Sequence, residues 1–184
     1  NTITMGEFKN KLDETIEHFK TELSQLRTGR ASPALVDDLD VDYYGTKTPL
    51  KAIAAISCPE PRQLVIQPWD KNAIQAIEKA IQSSHLGLAP ISERDVIRLA
   101  IPLLTEERRK ELLKLVSRYA EDARIRIRRE REEIMKEVDR QEKAKEISED
   151  EKFRQRESIQ KLVDDINKKI EDISATKEKE IMTV

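Results

Sequence analysis

Five arginines fall within eight consecutive positions, 124–131, in the second half of this chain. Arg124, Arg128 and Arg131 stand at i, i+4 and i+7, so in a helix their guanidinium groups would form one stripe. Guanidinium forks match phosphate oxygens, and a rigid row of them could follow an RNA backbone. Residues 105–131 contain 10 Lys or Arg and 6 Asp or Glu, a local charge of +4 in a chain whose net charge is −2. This concentration of positive charge predicts a phosphate-binding face.

The same arginines allow a second interpretation, in which nearby carboxylates neutralise them and the whole face merely solvates the helix. The carboxylates within reach along a helix are Glu121, Asp122, Glu130 and Glu132. Aromatic residues make up only 4% of the chain, so stacking of single-stranded bases is less favoured than contact with the backbone of folded RNA.

The spacing of hydrophobic residues predicts the helices that carry this stripe and pack beside it. From Met5 to Leu26 apolar residues recur every 3.5 positions on average, a pattern typical of a helix with a coiled-coil-like seam. The pattern disappears between residues 30 and 104 and resumes from 105 to 182. We therefore predict an α+β protein with a discontinuous helical domain, 1–29 plus 103–184, around an inserted domain, 30–102.

Two long helices are predicted in the second part of the chain. Thr105 can cap the first of them, and Ser148 with Glu151 forms a capping box that opens the second. Since only a short turn joins them, these two helices must run antiparallel, and the N-terminal helix completes a three-helix bundle. Their predicted buried stripes are Leu112, Val116, Tyr119, Ala123, Ile127, Ile134 and Val138, then Ile159, Leu162, Ile166, Ile170, Ile173 and Ile181.

The inserted segment changes to the two-residue period of β-strands. Strands are predicted at 39–43, 53–56, 64–67 and 96–101, with a short helix over 71–84 that Asp70 caps. This pattern predicts a small β/α/β domain joined to the bundle by two connections. Gly29 and Pro33 lie in the first connection and Pro102 in the second, which favours a hinge. The predicted hinge residues are Gly29, Arg30, Ser32, Pro33, Pro102 and Leu103.

No group of residues predicts a catalytic centre. Four scattered glycines cannot build a phosphate-cradling loop. Neither His18, predicted on a solvated helix flank, nor Cys58, predicted to be buried, has a partner for metal binding or nucleophilic catalysis. No apolar run approaches the roughly 20 residues needed to cross a bilayer. We therefore expect no cofactor, no metal, no membrane partner and no enzymatic activity.

Several motifs in this order, spread over essentially the whole chain, resemble the ribosome recycling factor family. The first and the sixth are highly specific. The motifs are Arg27–Pro33 (RTGRASP), Tyr43–Gly45 (YYG), Glu78–Ile81 (EKAI), Leu86–Leu88 (LGL), Ile97–Arg98, Leu104–Lys110 (LTEERRK) and Lys145–Asp150 (KEISED).

The resemblance implies an L-shaped, tRNA-like molecule that binds the post-termination ribosome, mainly through large-subunit rRNA. Elongation factor G with GTP would then drive the factor to split the ribosome into subunits. We expect a monomer with no DNA partner, in the bacterial cytoplasm or, after loss of a transit segment, in an organelle. The residues that match rRNA-contacting positions of the family are Arg27, Arg30, Arg109, Arg128 and Arg131, and Arg124 matches a basic position of the family earlier in the helix.

An alternative function is that of a coiled-coil-like structural adaptor, in which the far tip of the bundle binds another helical protein. That function needs an exposed apolar stripe beyond residue 138. The sequence there is mostly charged, with Lys136, Glu137, Asp139, Arg140, Glu142, Lys143 and Lys145. The translation-factor interpretation is therefore preferred.

Overall fold

The computed structural model describes residues 2–183. The chain folds into two compact units. The first unit contains residues up to Thr28 together with those from Thr105 onward, and the second runs from Gly29 to Leu104. We call them the bundle and the inserted unit.

The bundle consists of three α-helices: α1 (Met5–Ser24), α3 (Glu106–Lys143) and α4 (Glu149–Met182). Each begins at a hydroxyl side chain that accepts a hydrogen bond from a free backbone N–H, which stabilises the helix start. Thr105 and Ser148 cap α3 and α4 as predicted, and Ser148 forms the predicted capping box with Glu151. Thr4 forms a second capping box with Glu7, which was not predicted.

As residue numbers rise along α4, the residues that they contact on α3 have falling numbers. Lys152 lies opposite Glu142, and Gln160 lies opposite Arg131. This order confirms that the two helices are antiparallel. With 20 residues against 38, α1 can accompany only part of α3.

Two details of the predicted seams were wrong. Tyr119, Leu162 and Ile173 are half-buried, whereas the residue that follows each of them is buried in its place: Ala120, Val163 and Ser174. A straight α-helix has about 3.6 residues per turn. Residues spaced every 3.5 positions therefore do not stay on one side of the helix. The first helix also ends at Ser24, earlier than the predicted residue 27, and the Ser24 hydroxyl donates to the Thr21 carbonyl at 2.7 Å in its last turn.

The inserted unit contains two antiparallel sheets and one α-helix. β1 (Asp40–Tyr43) pairs with β2 (Thr46–Pro49). β3 (Ala54–Glu60), β4 (Gln63–Pro68), β5 (Pro90–Glu93) and β6 (Val96–Ala100) form a sheet in the order β3-β4-β6-β5. α2 (Ile74–Ser83) buries Ile77 and Ile81.

The core of the inserted unit is compact and apolar. Fully buried side chains come from strands, turns and the helix: Val36, Val41, Leu50, Leu64, Ile66, Ile77, Ile97 and Leu99. The four predicted strands are present, whereas β2 and β5 were missed. Both are short edge strands that lack alternating apolar residues, so their pairing with a neighbour, not their own sequence, makes them strands.

Candidate nucleic-acid interface

The predicted arginine stripe lies near the middle of α3. Arg128 is exposed, while Arg124 and Arg131 are half-buried along the flank next to α4. Arg131 lies seven positions after Arg124, a rise of roughly 10 Å along the helix axis. The stripe therefore offers three guanidinium groups over about two helical turns.

Arg131 is held in place by a short chain of polar contacts to α4. Its Nε donates to Gln160 Oε1 at 3.0 Å, and Gln160 Nε2 donates to Asp164 Oδ1 at 2.8 Å. These bonds orient the guanidinium plane, and no carboxylate of residues 2–183 lies within 4.0 Å of its nitrogens. The terminal nitrogens of Arg131 are therefore available to a phosphate, which guanidinium groups bind through two parallel N–H donors.

The solvated-face interpretation accounts for only part of the stripe. Arg124 Nη1 lies 3.6 Å from Glu121 Oε2, and the two side chains are 39% and 53% exposed. Such exposed pairs contribute little stability, typically below about 1 kcal/mol. Among residues 2–183, neither Asp122 nor Glu132 lies within 4.0 Å of a cationic side chain, and Arg128 has no carboxylate at that distance.

Glu130, the remaining carboxylate of that interpretation, pairs with another helix. Lys11 Nζ on α1 lies 3.1 Å from Glu130 Oε2 and 3.9 Å from Glu133 Oε2. The hydrogen bond and negative charge of Glu130 raise the pKa of Lys11 above its ordinary value. Neither Lys11 nor Gln160 was identified from the sequence, because each reaches α3 from a different helix and has no signal near it in the chain.

The other predicted rRNA-binding residues belong to other segments of the chain. Arg109 is in the first turn of α3, where its Nε is buried and has no hydrogen-bond partner among the described residues. Arg27 is exposed in the segment after α1, and Arg30 is exposed at the start of the inserted unit. The structure thus brings three of the six predicted residues together on one short stretch of helix.

The predicted hinge residues occupy the two ends of the inserted unit. Gly29 has φ +78°, and a Cβ added there would meet Leu104 Cγ at 3.2 Å. Glycine is favoured at this point both by the left-handed backbone and by the close approach of the outgoing chain. Pro33 begins a short 3₁₀ turn, and Leu103 is 53% exposed.

Both connections are fixed to one turn between β3 and β4. Ala31 N donates to the Pro61 carbonyl at 2.7 Å, and Ile101 N donates to the Arg62 carbonyl at 2.8 Å. Incoming and outgoing chain are therefore held side by side by neighbouring residues. Ser32 and Pro33 lie on the inner side of these bonds, whereas Gly29, Arg30, Pro102 and Leu103 lie outside them.

The residues considered for other chemistry do not form a site. His18 is exposed as predicted and lies 3.1 Å from Glu22. The prediction that Cys58 is buried was wrong, because the pairing of β3 with β4 shifts register after Ser57 and turns the end of this edge strand outward. Over residues 2–183, no group of three His, Cys, Asp or Glu side chains could hold a metal ion. No helix in that range is long and apolar enough to cross a membrane.

The far tip of α3 and α4 is a network of ion pairs. Arg140 bonds to both Glu137 and Glu146, and Lys152 lies 3.2 Å from Asp139 and from Glu142. Among the described residues of the tip, Phe153 is the one large apolar side chain that is exposed, at 63%. This part of the surface lacks the apolar stripe that an adaptor function requires.

The structure thus combines a three-helix bundle, which carries a cationic stripe on α3, with a small inserted β-sheet unit. The family model described as ribosome recycling factor matches residues 19–182. The ribosome-recycling factor of Bacillus pumilus is 48% identical over 180 residues, which cover 98% of this chain and 97% of the relative. That of a Geobacillus species is 50% identical over 176 residues, covering 96% and 95%.

This chain is also similar to solved structures of ribosome recycling factor. A solution structure of ribosome recycling factor shares 46% identity and a TM-score of 0.70, covering 97% of this chain and 95% of that one. A second, with 43% identity, a TM-score of 0.60 and coverage of 97% and 96%, belongs to models of the T. thermophilus ribosome recycling factor and the E. coli elongation factor G bound to the E. coli post-termination complex. This chain belongs to the ribosome recycling factor family, a family of translation factors and not of enzymes.

Proposed function

We propose that this protein binds the post-termination ribosome and, together with elongation factor G and GTP, dissociates it into subunits. The observation that carries this proposal is the match to ribosome recycling factors over nearly the full length of both chains. A related structure is described in a complex of that kind with elongation factor G. In this mechanism the chain hydrolyses nothing and supplies binding surfaces only.

The rRNA of the large subunit is the proposed binding partner of the bundle. Arg128 and the terminal nitrogens of Arg131 are free to contact phosphate oxygens, and Arg124 is held only by one long, exposed ion pair. Backbone contacts of this kind position a protein on RNA without reading its sequence. Arg27, Arg30 and Arg109 are proposed as further contacts.

The hinge is proposed to lie outside the two hydrogen bonds that fix the inserted unit at its entrance. Movement would then be confined to Gly29, Arg30, Pro102 and Leu103, while Ser32 and Pro33 move with the inserted unit. A hinge of this type needs only a few terminal residues that absorb the change in backbone angles. We further propose that the protein acts as a monomer. Because the relatives named above are bacterial, we propose that it acts in the bacterial cytoplasm.

The test replaces Arg124, Arg128 and Arg131 together by glutamine. Glutamine is a good helix former, so circular dichroism should barely change. Affinity for purified ribosomes should fall, and the slope of log affinity against log salt should shrink by roughly 2 to 3, since about 0.7 to 0.9 is expected per phosphate contact. Of the single variants, Arg131→Gln should cause the largest loss, because Gln160 already orients its guanidinium group.

The control replaces three exposed cations of α4, Arg154, Lys168 and Lys169, by glutamine and so changes the net charge equally. Its ribosome affinity and salt slope should stay near those of the wild type. If the stripe variant behaved like this control, the stripe would be a solvated face and the rRNA contacts would lie at Arg27, Arg30 and Arg109. If the wild type failed to split ribosomes with elongation factor G and GTP, the proposed function itself would be wrong.

A further inference from the structure

A second cationic surface lies on the opposite flank of α3, in a groove between α3 and α1. The groove has a volume of about 520 Å³. Arg126 and Arg129 line it from α3, and Lys11, Glu14 and His18 line it from α1. The neighbouring residues fix its side: Glu130 contacts α1 through Lys11, whereas Arg131 contacts α4 through Gln160.

Carboxylates already contact two of the groove's side chains from α1. Lys11 Nζ lies 3.1 Å from Glu130 Oε2, and His18 Nε2 lies 3.1 Å from Glu22 Oε1. The Lys11–Glu130 contact joins α1 to α3 at one wall of the groove, so both residues serve the packing of the bundle. The charge of Lys11 is therefore balanced before any ligand binds.

Arg126 and Arg129 differ from these residues because no carboxylate lies within 4.0 Å of either guanidinium group in the part of the chain that the structure describes. Both are exposed. Glu14 is the one acidic side chain of the groove that has no described cation within that distance, so two free guanidinium groups face one free carboxylate. The groove therefore keeps a positive balance and an excess of N–H donors.

The spacing of the two arginines suits a single phosphate-bearing strand. Residues i and i+3 lie on the same side of a helix, about one turn apart, so both guanidinium groups can reach one short segment of backbone. Guanidinium groups bind phosphate oxygens through forked N–H pairs, and a groove wall limits the directions from which a strand can approach.

We propose that Arg126 and Arg129 form a second RNA phosphate-binding site, which takes a different backbone segment from the one bound by Arg124, Arg128 and Arg131. The inference rests on the proposed function, because the RNA in question is that of the ribosome. With a phosphate-binding site on each flank, α3 would lie between two segments of RNA backbone. A helix with side chains is about 10 to 12 Å wide, which sets the separation of those segments.

The experiment compares two double variants of the full-length chain. In the groove variant Arg126 and Arg129 become glutamine; in the control Arg154 and Arg156, which are exposed on α4, undergo the same change of type and charge. Binding to purified ribosomes is measured across a salt series. The groove variant should reduce the salt slope by about 1.4 to 1.8, at about 0.7 to 0.9 per phosphate, while the control keeps the wild-type slope.

Combination with the stripe variant separates the two sites. If they bind different segments, the slope reductions of the groove and stripe variants should add, since independent sites contribute independently. A groove variant that matches its control, while the stripe variant loses slope, would overturn the second site and leave the proposed function standing. A stripe variant without effect would instead count against the proposed rRNA contact at the stripe.

A third variant guards against an effect on folding. Arg126→Lys with Arg129→Lys keeps both charges but removes the forked donors, so the salt slope should stay close to that of the wild type while affinity falls. Equal affinity in this variant and the wild type would contradict a forked phosphate contact. Thermal unfolding of each variant, followed by circular dichroism, checks that the bundle is intact.

Discussion

The bundle and the inserted unit bury their apolar side chains in different ways. Of the 76 residues from Gly29 to Leu104, 17 are charged, against 53 of the 108 residues outside that range. The bundle buries one apolar stripe per helix and leaves the rest of each helix to charged side chains. The inserted unit instead gathers apolar side chains from strands, turns and a helix around a single small core.

This contrast explains where binding surfaces can arise. A long helix whose core needs only one stripe has most of its surface free, so α3 can carry arginines on two flanks at little cost to its packing. The inserted unit differs in topology as well, because its strands pair residues far apart in sequence, such as Leu64 with Leu99. Pairings of this kind must close long loops before their contacts form, which slows folding.

The strongest test of the contrast removes the inserted unit. A short Gly/Ser bridge replacing residues 30–102 should leave a bundle that unfolds cooperatively, because Leu104 lies beside Gly29 and a short bridge can span the gap. The bundle helices contain 20, 38 and 34 residues against 10 in α2, so most of the helical circular dichroism should remain. Loss of that signal would show that the bundle is not an autonomous domain.

The same contrast governs how much of the fold could be predicted from the sequence. Helix caps and apolar spacing are local signals, so α3 and α4 were predicted within a few residues of their ends. The edge strands β2 and β5 were missed because they depend on a partner. Cys58 was misplaced for a related reason: a register shift within β3 has no signature in the residues around it.

The candidate site was predictable to a similar extent. Three arginines at i, i+4 and i+7 identify a stripe on any helix, and the structure places them on one. The side chains around these arginines could not be predicted from the sequence, because Gln160 and Lys11 approach α3 from helices that are distant in sequence. Which helix each flank of arginines faces follows only from those contacts.

A second prediction compares one buried side chain in each unit. Phe19 in α1 and Ile77 in α2 are both fully buried. Phe19→Ala should lower the free energy of unfolding of the bundle by about 3 to 5 kcal/mol, and Ile77→Ala that of the inserted unit by about 2 to 5 kcal/mol, since each leaves a cavity in a packed core. Hydrogen exchange resolved by peptide should show the loss of protection only in the unit that carries the substitution.

Substitutions of exposed lysines provide the control for this pair. Lys20→Ala in α1 and Lys79→Ala in α2 alter side chains that are exposed, so protection in both units should stay within the range of the wild type. If Phe19→Ala also reduced protection in β4 and β6, the two units would unfold together. The contrast between the units would then fail, whatever the size of the destabilisation.

The smallest predicted effect concerns Asp70, which holds one end of the inserted unit together. Its carboxylate accepts hydrogen bonds from the Asn72 backbone N–H at 2.9 Å, the Tyr44 hydroxyl at 2.9 Å and the Tyr43 hydroxyl at 3.0 Å. These three donors lower the pKa of Asp70 below its ordinary value, with the backbone donor contributing most. All three stabilise the ionised form, which is therefore the form that the folded unit favours.

Because the pKa of Asp70 is lower in the folded than in the unfolded chain, its contribution is complete above the unfolded pKa of about 3.9 and is lost as pH falls through the folded value. The inserted unit should thus lose some protection from hydrogen exchange below about pH 4. Asp70→Asn keeps a capping oxygen but cannot ionise, so it should be less stable at neutral pH and its stability should depend less on pH in this acidic window. If the acidic loss were equally steep in the asparagine variant, another carboxylate would be responsible and the network around Asp70 would contribute only packing.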